Sequence, residues 1–127
     1  MANYRYQNPA TTDATQACQQ CESIYISLGR PICADFCDGV GNYAISDQII
    51  SPNNYASMQI GDILIPDEGE PNFTADDFYA YAAESTTTSN PNVAYRILKI
   101  DPTIPNRVAS LRICGSDGTG APVCTNP

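Results

Sequence analysis

Six cysteines in a chain of 127 residues constrain this protein more than any other feature of its sequence. They stand at Cys18, Cys21, Cys33, Cys37, Cys114 and Cys124. A domain of this size builds only a modest core, so an even, dense set of thiols reads as a disulfide framework. All six are expected in disulfides. Sequence alone leaves many connectivities open. The simplest geometry joins Cys114 to Cys124 across the Gly-rich C-terminal stretch and lets the N-terminal set pair within itself. A competing reading takes the CxxC of Cys18 and Cys21 with the CxxxC of Cys33 and Cys37 as four thiolates around a tetrahedral zinc. Against it, the second pair has three spacer residues where two are usual, and neither pair carries a tight Gly turn. A redox CxxC would call for a βαβ context, which is missing here.

Disulfides belong to oxidising surroundings, yet residues 1–17 show no basic start, apolar stretch and small-residue cleavage site. The expectation is a protein that works outside the cell without leaving by the ordinary export route. The formal net charge of −8 argues against nucleic acid or anionic lipid as a partner, since both call for clustered Lys and Arg. The longest apolar runs, such as Ile63-Leu64-Ile65, are too short to span a membrane. Histidine is absent, which removes the commonest general base and the usual nucleophilic triads. No P-loop, dinucleotide fingerprint or nucleophile elbow is present. The chain reads as a non-enzyme without a cofactor.

Ten prolines and many Thr, Ser and Asn point to strands and loops. Residues 1–12 read as an N-terminal arm, 13–114 as a single β domain and 115–127 as a Gly-rich C-terminal tail. Thr12 and Asp13 suit the start of one short helix running to Cys18. Ile24-Tyr25-Ile26 is strand-like, Tyr43-Ala44-Ile45 begins a second strand, and Met58 to Ile65 a third, with Gly61-Asp62 as a bulge or close approach. Alternation in Phe78-Tyr79-Ala80-Tyr81 favours a strand over 77–84, forming a long hairpin with 93–100. The last strand runs from Arg107 to Cys114. Strict alternation there places Ala109, Leu111 and Ile113 on one face, and Val108, Ser110, Arg112 and Cys114 on the other. The fold class is all-β: a small antiparallel sheet or sandwich with long loops, stapled by disulfides.

Charge is unevenly spread. No basic residue lies between Arg30 and Arg96, while Arg96, Lys99, Arg107 and Arg112 follow within a short stretch. The simpler reading is solvated loops followed by strand faces with local ion pairs. The alternative is an acidic surface of one copy meeting a basic surface of another. Asp35 and Asp38 flank a Gly-rich turn, and Asp67, Glu68 and Glu70 crowd one loop. Such oxygens suit calcium, but the EF-hand spacing is absent. Asn72-Phe73-Thr74 fits a glycosylation sequon, a triplet that also arises by chance. The eight tyrosines suggest either a binding face or strand residues packed on one side.

Several stretches, taken in order, carry a resemblance. They are Tyr4 and Tyr6, a Thr-rich run ending at Ala17-Cys18, Met58 to Leu64, Asp77 to Tyr81, and Val108 to Cys114. This layout resembles small β-rich modules of structural and fibre proteins of tailed phages, notably those infecting marine cyanobacteria, over about residues 4–114. Cys21, Cys33, Cys37 and Cys124 depart from that pattern. The resemblance implies a virion role with no catalytic residues. The expected function is a capsid decoration or cement protein located in the virion, with other virion proteins and copies of itself as partners in a multi-copy assembly. The alternative is a neck, tail or fibre subunit that contacts the host surface; a zinc-bound or extracellular binding domain ranks behind both. Tyr4, Arg5 and Tyr6 in the arm are the candidate partner-binding residues. Deleting residues 1–10 is expected to abolish particle binding while leaving thermal unfolding of the domain unchanged. Unaltered occupancy on particles after that deletion would remove the arm from the interface.

Overall fold

A computed structural model of the chain describes residues 21–39, 41–66 and 73–127. The expected arm, the short helix at residues 12–18 and the 67–72 loop lie outside the described residues. Seven strands form one curled antiparallel sheet. In chain order they are β1 (Glu22–Ser27), β2 (Ala44–Ser51), β3 (Phe78–Ala82), β4 (Thr86–Thr87), β5 (Arg96–Ile100), β6 (Val108–Ser116) and β7 (Pro122–Thr125). Among the described residues a 3-10 helix, Cys33–Phe36, lies between β1 and β2. Across the sheet the order is β4-β2-β1-β3-β5-β6-β7. The all-β expectation therefore holds, in the form of a single sheet.

The central strands read as alternating in sequence, but both of their faces are buried. Ile24 and Ile26 of β1, Tyr79 and Tyr81 of β3, and Leu98 and Ile100 of β5 pack in one core with Ile49, Met58, Leu64 and Val108. Ala80 and Ala82 of β3 and Ile97 of β5 point the other way and pack with Phe36 and Ile45. Burying one Ile or Leu fully is worth about 1.5–3 kcal/mol, so each face needs a cover that keeps water out. Met58 and Leu64 cover the first face, helped by half-buried Tyr55 and Phe73. The second face is covered by the 3-10 helix through Phe36, with Tyr43, Val93 and Tyr95 packed around it.

Most expected strands form, with three corrections. Met58–Ile65 is not a strand. The Asp62 carboxylate accepts from the Gln59 amide at 2.9 Å and from Asn53 Nδ2 at 2.8 and 3.0 Å, which ties the segment into a turn. Gly61 sits at φ 100 in that turn, where a side chain is disfavoured, and its amide meets Val108 O at 2.8 Å. Only isolated bridges remain, Ile63 to Arg107 and Ile65 to Ile50. Second, the residues read as a C-terminal tail belong to the sheet. β6 runs on to Ser116 and turns back into β7, with Cys114 opposite Cys124. Third, β6 does not alternate strictly. Lys99 pairs with Ser110 but Ile100 pairs with Val108, so Ala109 is an extra residue. That bulge puts Val108 and Leu111 on the same core face, although their spacing alone assigns them to opposite faces.

The expected pairing of 77–84 with 93–100 is present as β3 against β5, from Phe78↔Lys99 to Tyr81↔Arg96. The connection between them is more than a hairpin loop. Thr86–Thr87 forms β4, which pairs with Ala44 and Ile45 of β2 at the far edge of the sheet. Between β1 and β3 the ladder is short: two register pairs, then a bridge from Arg30 to Phe78. The gap is closed by a side chain, as the Ala80 amide donates to Ser27 Oγ at 2.9 Å. Gly29 is needed at this point, because a Cβ there would stand 2.5 Å from Asp77 Oδ2.

The turn after β5 is organised by Asp101. Its carboxylate accepts from the amides of Thr103 and Ile104, from Thr103 Oγ1 and from the Arg107 guanidinium. The Thr103 hydroxyl and Arg107 hold that carboxyl well below the usual range. The turn ends at Asn106, at φ 62, a left-handed conformation that Asn tolerates better than most residues. Asn106 O accepts the Leu64 amide and its Oδ1 accepts the Phe73 amide. One residue thus anchors both segments that cover the first face.

Tyr81 is fully buried, and among the described residues its hydroxyl finds no hydrogen-bond partner. Burial pushes its pKa from 10.0 up to about 12. The folded protein therefore keeps a proton that the unfolded chain releases, and stability falls as pH rises from 10 towards 12. Tyr81→Phe is expected to be neutral or stabilising by about 1 kcal/mol, since it removes an unsatisfied group. The same variant should shrink the alkaline loss of stability in urea unfolding measured across that range.

Candidate functional site

Four cysteines meet where the 3-10 helix lies against the end of the sheet. The CxxxC spacing places Cys33 and Cys37 one helical turn apart. Cys114 on β6 and Cys124 on β7 are direct cross-strand partners, so their side chains leave the hairpin on one face. The two pairs then join crosswise between elements. Cys33 bonds to Cys124, with Cα atoms 6.2 Å apart, and Cys37 bonds to Cys114, with Cα atoms 5.4 Å apart. Cys21 is disulfide-bonded as well, and none of the described cysteines is free. Cys18 lies outside the described residues.

These bonds correct the expected connectivity. Cys114 and Cys124 do not join each other, although they are neighbours in register. Cys33 and Cys37 are bonded to the C-terminal hairpin, so they do not join Cys18 and Cys21 in a zinc set. The reason is the second face of the sheet. A helix of four residues buries too little to stay in place by packing alone, and the hairpin offers two sulfurs at matching spacing. Among the described residues no group of three or more His, Cys, Asp or Glu stands ready to hold a metal ion in this form.

The surroundings of the staple are aromatic and polar. Tyr95 donates its hydroxyl to Phe36 O, and the same oxygen lies 3.3 Å from Cys114 Sγ. Burial raises the Tyr95 pKa, and the Asp38 charge adds to the shift. Phe36 meets the Tyr43 ring edge-on at a centroid distance of 5.3 Å. Arg30 caps this group, with its guanidinium 5.1 Å from the Tyr43 centroid and 3.3 Å from Asp35. An open cleft of about 310 Å³ runs beside it, lined by Ser27, Leu28, Gly29, Arg30, Tyr43 and Ala44. Its one charged group, Arg30, already faces Asp35. Ser27 in its lining donates its hydroxyl to Leu28 O and accepts the Ala80 amide.

The other sequence candidates are distributed by the fold. Tyr4, Arg5, Tyr6, the acids Asp67, Glu68 and Glu70, and Asn72 of the sequon lie outside the described residues. The described tyrosines do not make an exposed face: Tyr79 and Tyr81 are buried, and Tyr25, Tyr43, Tyr55 and Tyr95 are half-buried against the two cores. The four late basic residues do not make a basic patch. Arg96 lies over Tyr55, Lys99 over Phe78, Arg107 on Asp101, and Arg112 donates to Asn126 at 2.7 Å. Large apolar side chains are exposed instead, at Leu28, Ile32, Ile60, Ile63 and Ile104. Sequence reasoning missed these because the apolar run 63–65 resembles a core strand, whereas the bridges on either side leave Ile63 52 % exposed and Leu64 buried.

Because the two staples close chain separations of 91 and 77 residues, the first to form removes most of the loop entropy. The second closes only the difference, a ring of about 14 residues, worth about 3 kcal/mol in the chain-entropy picture. Replacing both Cys37 and Cys114 by Ser is therefore expected to cost about 3 kcal/mol in denaturant unfolding, well under half the loss on replacing all four cysteines. A loss in the double variant of half the four-cysteine loss or more would mean that the staples do not share one loop. In comparisons with known proteins, no family model, no curated protein and no solved structure matches this chain.

Proposed function

We propose that this protein is a non-enzymatic structural protein of a virus particle, a decoration or cement protein that docks on a phage capsid and reinforces it. The observation that carries this reading is the double covalent staple that ties the 3-10 helix to the last hairpin of the sheet. A protein that coats a particle works by rigidity and contact area, and it performs its task after exposure to an oxidising medium. Long-range cross-links serve both needs without requiring a larger core. The exposed isoleucines supply a contact surface. Ile60, Ile63 and Ile104 lie in or beside the paired segments 61–64 and 106–108, and their side chains are 65 %, 52 % and 37 % exposed. Exposed apolar side chains on paired segments favour a protein partner over open solvent. The sheet edges add a second contact mode for neighbouring copies, since β4 covers only the first two residues of β2.

Purified particles from the native host test this reading. The chain is expected in stoichiometric, shell-level copy number with its disulfides intact by non-reducing mass spectrometry. A variant carrying Ile60→Asp and Ile63→Asp should lose shell occupancy by at least tenfold with an unchanged melting temperature, because both side chains already face solvent. A copy number of tens per particle would assign it to a neck, tail or fibre instead. Its absence from particles, or its presence with free thiols, would overturn the virion reading.

A further inference from the structure

We propose that Cys33, Cys37, Cys114 and Cys124 form a tetrathiolate zinc site when their two disulfides are reduced. This inference rests on the staple geometry alone and is independent of any role in a particle. Four sulfurs are brought together by two elements, a turn of 3-10 helix and a cross-strand pair. The Cα atoms are 6.2 and 5.4 Å apart across the two bonds. Cys114 and Cys124 occupy one cross-strand position, for which the Cα separation is about 4.5–5.5 Å. A tetrahedral zinc with bonds of about 2.3 Å to sulfur needs its ligands about 3.8 Å apart. Side chains reaching inward from Cα atoms at these spacings meet that demand once the direct sulfur–sulfur bonds are opened. The site differs from the one expected in sequence: it keeps the CxxxC pair and replaces Cys18 and Cys21 with the C-terminal hairpin.

The chemistry balances in two steps. A low-molecular-weight thiol reduces each disulfide with two electrons, yielding two cysteine thiols and one external disulfide. Four thiols then bind one Zn²⁺ and release four protons, leaving a site of net charge −2. Oxidation by an external disulfide reverses the sequence, re-forming Cys33–Cys124 and Cys37–Cys114 and expelling the metal. Tyr95 sits where a neighbour of the thiolates is needed, with its hydroxyl 3.3 Å from Cys114 Sγ. Once that sulfur carries charge, the phenol can turn its proton from Phe36 O towards it and orient the ligand. Under reducing conditions the metal would hold the 3-10 helix on the sheet in place of the disulfides and keep the second face covered.

The full chain, reduced with a phosphine under anaerobic conditions and titrated with Zn²⁺ or Co²⁺, tests the proposal. About one metal per chain is expected, with cobalt showing tetrahedral d–d bands and strong thiolate charge transfer. The Cys18→Ser/Cys21→Ser variant should bind the same amount, and Cys114→Ser or Cys124→Ser should bind at least tenfold more weakly. Adding glutathione disulfide to the zinc form should release the metal to a chromogenic chelator as the two bridges return. Substoichiometric binding by the reduced wild-type chain would overturn the site, as would a cobalt spectrum without four-sulfur coordination. So would binding that survives Cys114→Ser or vanishes with Cys18→Ser/Cys21→Ser. Because the wild-type spectrum is read directly, a variant that fails to fold does not decide the outcome.

Discussion

A sheet buried on both faces needs two covers, and everything else in this small protein follows from how the second one is held. The first cover, built from Met58 and Leu64, is apolar and is anchored by backbone hydrogen bonds to 106–108. The second is a 3-10 helix of four residues whose buried side chain is Phe36. One buried aromatic does not offset the ordering of the loops on either side of so short a helix. Cys33–Cys124 and Cys37–Cys114 provide the missing restraint. They also fix β7, which among the described strands pairs with β6 alone.

Where the ladders stop, polar side chains complete them. Ser27 accepts the Ala80 amide between β1 and β3, Asp62 ties the turn that replaces a strand, and Asp101 organises the connection into β6. Asn106 binds the two segments that cover the first core. Each of these groups is short and engaged with backbone, as a small sheet requires: a buried amide without a partner costs about as much as one buried methyl or two contribute. The main exception is Tyr81, whose ring lies in the first core while its hydroxyl finds no hydrogen-bond partner among the described residues.

This division of labour bears on function. The charged residues that stand out in sequence are engaged locally, with Arg107 on Asp101 and Arg30 between Asp35 and Tyr43. Among the described residues the exposed isoleucines and the middle of β2, between its pairing with β4 and the Ile50–Ile65 bridge, remain available to a partner. Such surfaces suit association with other protein more than recognition of a charged small molecule. The proposed role in a particle takes its support from that, and from a stability that depends on cross-links.

The strands were legible because period-two alternation is a local property. Ile24-Tyr25-Ile26 and Phe78 to Tyr81 announce strands within a few residues, and the β3–β5 pairing follows from their spacing. The importance of the cysteines was equally legible, because their density in a small chain leaves few other uses. The turn that replaces the expected strand over Met58–Ile65 was not, since Gly61-Asp62 is held by Asn53 and Val108, which lie outside that apolar run in sequence. The sequence by itself determined that this would be a cross-linked β protein without histidine chemistry. Only the tertiary structure decided which sulfurs meet and which face of β6 is the core. Both depend on cross-strand register, and here a single extra residue, Ala109, shifts that register. A bulge is stabilised by contacts from elsewhere in the chain, so no local pattern can announce it.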